Sequence, residues 1–340
     1  MKKTNLKALS LQELQYFFRA EGLPAFRTKQ LIHWVYERRV EDLGSISEYA
    51  KALREKLAGP AYIGNLVLLK RLTSADGTEK YLWELEDGQS IESVLIPDDD
   101  RLTLCISSQA GCALKCAFCL TGTLGFVRNL AAHEIVDQVI AASRLMDPRQ
   151  ITNIVLMGMG EPLMNFDNVV EALRRLTEWV KISPRRITLS TAGVAPRIHE
   201  LAQKGPAVNL AVSLNATTNE IRDRIMPINK TYPIEQLLAA CRAFPLPPRR
   251  RITFEYVLLK GVNDTDDDAR RLTVLLKGIP AKFNLIPFNP FPGAPFERPD
   301  DSRVLAFQQI LVDRKLTALI RKSKGQDILA ACGQLKAESS

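Results

Sequence analysis

Apolar and polar positions along this chain follow three successive rhythms. From residue 1 to 57 the apolar residues recur at the spacing of three and four that predicts helices. Ser10, with Glu13 three residues on, forms a capping box that opens a helix over Leu11–Ala20. A break at Gly22–Pro24 precedes a second amphipathic segment carrying Phe26, Leu31, Trp34 and Tyr36, and a third runs from Ile46 to Leu57. Between residues 58 and 97 the period shortens to two. Val67–Leu72, Lys80–Leu85 and Ser90–Ile96 alternate and are separated by turns at Ala75–Gly77 and Glu86–Gly88, which predicts hairpins in a short antiparallel connector. Glu92 lies in the last of these runs and reads as a solvent-facing residue of an edge.

From residue 98 to 327 the rhythm becomes strand, loop, helix. Strand-like runs at Leu102–Ser107, Ile151–Met157, Arg186–Ser190, Val208–Leu214, Arg251–Leu258 and Lys282–Phe288 have amphipathic stretches between them, at His133–Met146, Phe166–Trp179, Ile234–Phe244 and Asp266–Lys277. Such alternation predicts the α/β class, with parallel strands joined by right-handed crossovers. Six units, not eight, predict an open or partial (β/α)6 barrel. In barrels of this kind chemistry gathers at the carboxyl ends of the strands. Five stretches rich in glycine, cysteine or polar residues fall there: Cys112–Cys119, Gly158–Pro162, Ser190–Gly193, Ser213–Asn215 and Asn289–Gly293. A seventh apolar run, Leu316–Ile320, precedes a tail at 328–340 that carries Cys332.

Composition changes this picture little. At 340 residues, with 46% hydrophobic and 25% charged residues, the chain can bury a full core. Basic residues near the start are followed by no apolar run, and no stretch approaches a membrane span, so a soluble cytoplasmic protein with reduced thiols is expected. Forty-six Lys and Arg against thirty-eight Asp and Glu leave a net charge of +8, which suits a polyanionic partner. The basic residues cluster at Arg185–Arg186, Arg249–Arg251, Arg270–Arg271 and Arg321–Lys324, although any one such cluster is ordinarily a solvated face.

The chemistry is concentrated in Cys112, Cys116 and Cys119, three thiols within eight residues. A tetrahedral zinc site needs a fourth ligand, and the nearest candidate, His133, lies fourteen residues beyond Cys119 in no common zinc pattern. The spacing favours an iron–sulfur cluster with one iron left without a protein ligand. The pattern, with Phe118 before the last thiol, resembles the CxxxCxxC signature of radical S-adenosylmethionine (SAM) enzymes, in which the free iron binds SAM and the cluster's electron splits it into methionine and a 5′-deoxyadenosyl radical. The glycine turn at Gly158 and Gly160 would let backbone approach such a ligand, with Glu161 suited to its ammonium group.

Five stretches, Phe26–Gln30, Leu104–Cys112, Met157–Pro162, Ile286–Ala294 and Ala330–Gln334, together resemble the RlmN family of adenine C2 methyltransferases, and the likeness runs over nearly the whole chain. The resemblance implies a radical SAM barrel, one [4Fe-4S] cluster on Cys112, Cys116 and Cys119, and two SAM molecules per turnover. It implies that SAM is held by Gly160, Glu161, Ser190, Ser213, Leu214, Asn215 and Asn289, and that Cys332 is methylated by one SAM before a second yields the radical. The methylene radical on Cys332 then adds to C2 of adenine, Glu92 removes the C2 proton, and Cys105 attacks the sulfur of Cys332, leaving a Cys105–Cys332 disulfide. The implied partners are 23S ribosomal RNA, transfer RNA and an electron-donor protein such as flavodoxin or ferredoxin, for an enzyme expected to be a monomer with no membrane attachment. Relatives often have His where this chain has Asn215, so any role needing imidazole is absent here. A relative that methylates C8 of adenine and confers antibiotic resistance stays open, as does a non-catalytic metal-cluster protein that binds RNA or senses redox state. Cys241, in an expected helix, matches no motif and reads as core.

Overall fold

The computed structural model of the chain describes residues 3–335; the first two residues of the N-terminal helical segment and residues 336–340 of the expected tail lie outside the described residues. The capping box forms as the sequence demands: Glu13 N–H donates to Ser10 Oγ, the Ser10 N–H donates to Glu13 Oε2 at 2.7 Å, and the helix spans Leu11–Ala20. A second helix, Phe26–Ile32, widens into a π turn at His33–Glu37. The third starts later than its periodicity predicts, at Lys51–Ala58. Asp42 caps a 3-10 turn at Leu43–Ser45, and Ile46 and Tyr49 are buried from irregular backbone instead of a helix face. A short parallel pair, β1 (Thr4–Asn5) and β2 (Ala61–Tyr62), closes this segment on itself. A buried ion pair between Lys7 and Asp137, at 2.5 Å, anchors it to the rest of the chain.

The remaining strands of the core form one ten-stranded sheet. β3 (Val67–Thr73), β4 (Glu79–Glu84), β5 (Ser90–Asp98) and β6 (Arg101–Cys105) pair antiparallel in succession. After a two-stranded excursion, β7 (Gln109–Gly111) with β8 (Phe126–Asn129), the sheet continues from β6 with parallel strands: β9 (Asn153–Leu156), β10 (Ile187–Thr191), β11 (Asn209–Ser213), β12 (Ile252–Leu258), β13 (Ala281–Pro287) and β14 (Ala318–Ile320). The order is β14-β13-β12-β11-β10-β9-β6-β5-β4-β3, so the two edges never pair and the barrel is open. All six expected parallel strands are present, and the seventh apolar run becomes β14, docked on β13. The expected hairpins are hydrogen-bonded into this sheet through β5 and β6, with Val94 opposite Cys105.

Crossover helices cover the outside. The helix Ala132–Met146 is apolar on most of its surface and buries Ile135, Val136, Val139 and Ile140, each contributing about 1.5–3 kcal/mol. The helices Ala195–Lys204, Asn219–Ile225 and Asp301–Asp313 add to those expected from the sequence. Cys241 is core, as expected, within the helix Ile234–Ala243. A second, smaller apolar cluster, formed by Leu114, Ala216, Met226, Phe288 and Phe291 among others, lies under the cysteine loop. Among the described residues no helix is long and apolar enough to cross a membrane.

Candidate functional site

The carboxyl ends of β9 to β13 and the cysteine loop enclose a cavity of about 160 Å³. Each of the five stretches expected at the rim contributes: Cys112, Cys116 and Cys119; Gly160 and Glu161; Ser190; Ser213 and Asn215; Asn289. Cys332 of the tail also borders it. Leu214 does not. Its side chain is fully buried in the core, its carbonyl accepts from Arg222 and its N–H donates to the Glu255 carbonyl.

The cysteine loop is held by the β7–β8 pair at its base, where the Cys112 N–H donates to the Gly125 carbonyl at 2.7 Å. The Ala117 N–H reaches the Ile225 carbonyl, and the Cys119 N–H turns back to Cys116. Burial pushes all three thiols up, Cys112 to about 12, because an apolar surround disfavours the thiolate. No three Cys, His or carboxylate side chains among the described residues converge tightly enough for a single metal ion. A cube of four irons, ligated at separate corners, does not need such convergence. Facing Cys116 is Arg222, fully buried, which donates to the carbonyls of Leu214, Ala192 and Ser213 and to Asn229. Burial pulls this guanidinium down to about 10, with Cys116 its largest opposing neighbour.

Glu161 is equally committed. Gly160, at φ +98°, brings the backbone against Gln109, where an added Cβ would lie 2.5 Å from Gln109 Cβ. The Glu161 carboxylate, 3% exposed, accepts from the Leu163 N–H, Thr191 Oγ1 at 2.7 Å and the Ala192 N–H at 2.7 Å. No cation pairs with it among the described residues, and burial raises its pKa despite the three donors. Next along the rim, Ser190 Oγ donates to Glu255 Oε2 at 3.0 Å. Asn215 adopts the left-handed conformation, φ +56°, that asparagine tolerates, and its Oδ1 accepts from the Val257 N–H at 2.8 Å. Its amide thus ties β11 to β12, a role that needs no imidazole.

The tail is strapped across this rim. The Leu120 N–H donates to the Gly333 carbonyl and Thr121 Oγ1 to the Leu335 carbonyl, both at 2.7 Å. Asn289 donates to the Cys332 carbonyl and accepts from Ser323 and Gln326. Cys332, exposed to the cavity, and Cys105 line a second space of about 50 Å³ with Val94, Ile96 and Arg321. Both thiols are free. Burial, with Cys332 adding to it, pushes Cys105 far above the usual thiol range. Glu92 is not solvent-facing as its position on an edge suggests. It is 3% exposed, its Oε1 lies 3.0 Å from Lys80 Nζ, and the tail covers it. It borders a separate space of about 300 Å³ with Lys80, Leu329 and Gln334, on the same face of β5 as Val94.

Residues 106–273 match the model of the radical SAM superfamily, and residues 4–63 match that of the ribosomal RNA large subunit methyltransferase N-terminal domain. The chain is 52% identical to the dual-specificity RNA methyltransferase RlmN of Pelobacter propionicus over 336 residues, which is 98% of this chain and 96% of that one. It is also 52% identical to the protein of the same name from Syntrophobacter fumaroxidans, over 99% of both. The chain belongs to the RlmN family. A solved radical SAM methyltransferase from Sphaerobacter thermophilus superposes at a TM-score of 0.94 with 45% identity, covering 98% of this chain and 100% of that one.

RlmN proteins are radical SAM enzymes and use a [4Fe-4S] cluster and SAM. The rim fits both groups. Glu161 is a buried carboxylate in a cavity with three donors and no cation, the environment an ammonium group would complete. Arg222 is a buried cation whose natural counter-charge is an anionic cluster on the thiols beside it. Neither Arg222 nor Glu255 is marked by a motif. An arginine in a short helix and a glutamate in a strand are ordinary by spacing, and the one available signal is that Glu255 interrupts the apolar run Ile252–Leu258. Of the four basic clusters, the one at Arg321–Lys324 borders the thiol pair, whereas Arg270 and Arg271 are paired with Asp266, Asp267 and Asp268.

Proposed function

We propose that this RlmN-family chain methylates C2 of a specific adenine in 23S ribosomal RNA and in transfer RNA. The observation that carries the reading is Cys332, which borders the cysteine-loop cavity on one side and shares a second space with Cys105 on the other. A thiol so placed can take a group from one site and be relieved of it by a neighbour.

In this reading Cys112, Cys116 and Cys119 hold the cluster. Gly160, Glu161, Ser190, Ser213, Asn215, Asn289 and the backbone of Leu214 hold SAM. When bound, these groups supply a methyl group and, from a second SAM, the radical that removes a hydrogen from it. Cys332 Sγ gives up its proton to accept the methyl and carries the carbon to C2 of adenine, forming a covalent link to the RNA. Glu92 takes the C2 proton, and the linked adenine gives up one electron, equal to the one that SAM cleavage consumes, so that the adduct is closed-shell before release. The Cys105 thiolate attacks Cys332 Sγ, and the sulfur–carbon electron pair stays with the carbon, which picks up a proton as it leaves. The resulting disulfide needs two electrons from an external thiol before the next cycle. Residues 1–57 then act as an RNA-binding helical domain, 58–97 as the connector carrying Glu92, 98–327 as the catalytic core and 328–340 as the reactive tail. The chain works in the cytoplasm as a monomer, its cluster reduced by a flavodoxin or ferredoxin. An adenine within folded RNA must be extruded, at a cost of a few kcal/mol that basic contacts such as Arg321 and Lys322 offset.

The test is methyl transfer from labelled SAM to unmodified ribosomal and transfer RNA by cluster-loaded protein, wild type against Cys332→Ala, with mass spectrometry of the nucleosides. The expected result is 2-methyladenosine from the wild type alone. An 8-methyl product would move the chain to the resistance-type activity, and no transfer with a working reductant would overturn the enzyme reading.

A further inference from the structure

Lys80 stands out among the polar groups that the reaction above does not use. Its side chain is 10% exposed and that of Glu92 5%, and Lys80 Nζ lies 3.0 Å from Glu92 Oε1. The two come from adjacent antiparallel strands, where Lys80 is opposite Val94 and Glu92 opposite Leu82, so they meet diagonally on one face. The same ammonium donates to the carbonyl of Leu329, three residues before Cys332, at 3.3 Å. One cation therefore joins the base to the strap that bears the reactive thiol.

Stability does not explain the arrangement. Withdrawing two charges from water costs about as much as their attraction returns, and an apolar pair of similar volume would serve a purely structural purpose as well. Neutralising Glu92 would not require the second contact to the tail. That contact is the last of a series along the β3–β4 hairpin. The Gly325 N–H donates to Asp76, and Asp327 accepts from Ser74 Oγ at 2.5 Å and from the Ala75 N–H. Lys80 is the mooring on this hairpin nearest Cys332, and the only one of these that also touches Glu92.

We propose that Lys80 is a positioning residue for release of the product: it fixes the Glu92 carboxylate and holds the tail in register with it, so that the base faces C2 of the adenine carried on Cys332. The inference rests on Glu92 acting as the C2 base. It predicts that Lys80 matters after the RNA is linked to Cys332 and not before.

The experiment compares wild type, Lys80→Met, Lys80→Arg and Glu92→Gln in a single turnover with RNA. It measures the mass of methylated Cys332, the yield of 5′-deoxyadenosine and the fraction of RNA covalently attached to protein on a denaturing gel. For Lys80→Met the first two are expected within twofold of wild type, the release of methylated RNA falls about 10- to 100-fold, the range that loss of an orienting partner costs at metal sites, and the covalent adduct accumulates. Lys80→Arg, which keeps the charge, restores release to within several-fold. If Glu92→Gln accumulates adduct and Lys80→Met does not, or if Lys80→Met loses Cys332 methylation and adduct formation together, the role of Lys80 is overturned while that of Glu92 stands. If Glu92→Gln accumulates none, both fall. Lys80→Gln, shorter but polar and uncharged, gives the same reading should the methionine variant not fold, with bound iron as the check on folding.

Discussion

The parallel half of the sheet and its antiparallel wing build function by different means. Along β9 to β13 the groups that the motifs mark stand at or just past strand ends, where topology delivers them to one rim: Glu161 after β9, Ser190 near the end of β10, Ser213 and Asn215 at β11, Asn289 after β13. On the wing, Lys80 and Glu92 lie within hydrogen-bonded strands and not in loops beyond them, on a face that would be open to water if nothing covered it. What makes them a site is the tail, which crosses from the thiol pair to the β3–β4 hairpin and is held there by Asp76, Asp327 and Lys80. The rim is assembled when the barrel folds. The wing is assembled only when the segment from Gly325 to Gln334 comes back to it.

This contrast can be broken at its strongest point. Cys116→Ser removes a proposed cluster ligand on which the chemistry of the rim would depend, and iron content and RNA methylation are expected to fall to background, on the order of 10³-fold or more. The wing is untouched by that change, so a fluorescence-based RNA-binding titration should move little. Glu161→Gln acts on the rim alone. It loses a charge-assisted contact worth about 2 kcal/mol, or roughly 30-fold in SAM affinity by calorimetry, with RNA affinity unchanged.

Cys105 separates the two regions through pH. Burial and the neighbouring Cys332 thiol push it up, so below its pKa the reactive thiolate grows with pH. Decay of the RNA–Cys332 adduct should therefore speed up about tenfold per unit between pH 7 and 9, whereas Cys332 methylation follows a different profile. A flat decay rate would show that proton loss from Cys105 does not limit release. The smallest effect belongs to the strap. Asp327→Ala removes two hydrogen bonds at the hairpin, about 1–2 kcal/mol in total, and is expected to slow RNA methylation about fivefold and expose the tail to limited proteolysis while leaving SAM binding intact.

Much of the rim is legible in the sequence. Short apolar runs with amphipathic stretches between them mark the parallel strands nearly to the residue, since a strand buried on both faces has few other ways to be written. The third helix begins late because the Asp42 cap and the burial of Ile46 and Tyr49 override its periodicity. The environment of Glu92 is hidden for a plainer reason: alternation says which face of a strand a residue occupies, not what lies over that face. The same limit hides Lys80. Arg222 and Glu255 escape because each is identified by what its charge meets across the barrel, and their partners are remote in sequence.

The α/β class, the succession of strands, the cysteine loop and the family are all written in the chain, because these depend on local periodicity, on turn chemistry and on short motifs whose spacing is their meaning. The tertiary structure decided that β5 continues the barrel sheet, that Asn215 ties β11 to β12, that Asn289 is engaged with the tail, and that Glu92 is buried against Lys80 beneath it. Those facts rest on contacts between residues tens to hundreds of positions apart. Burial, and with it the state of every charge at this site, is a property of what covers a residue, and only the folded chain supplies the cover.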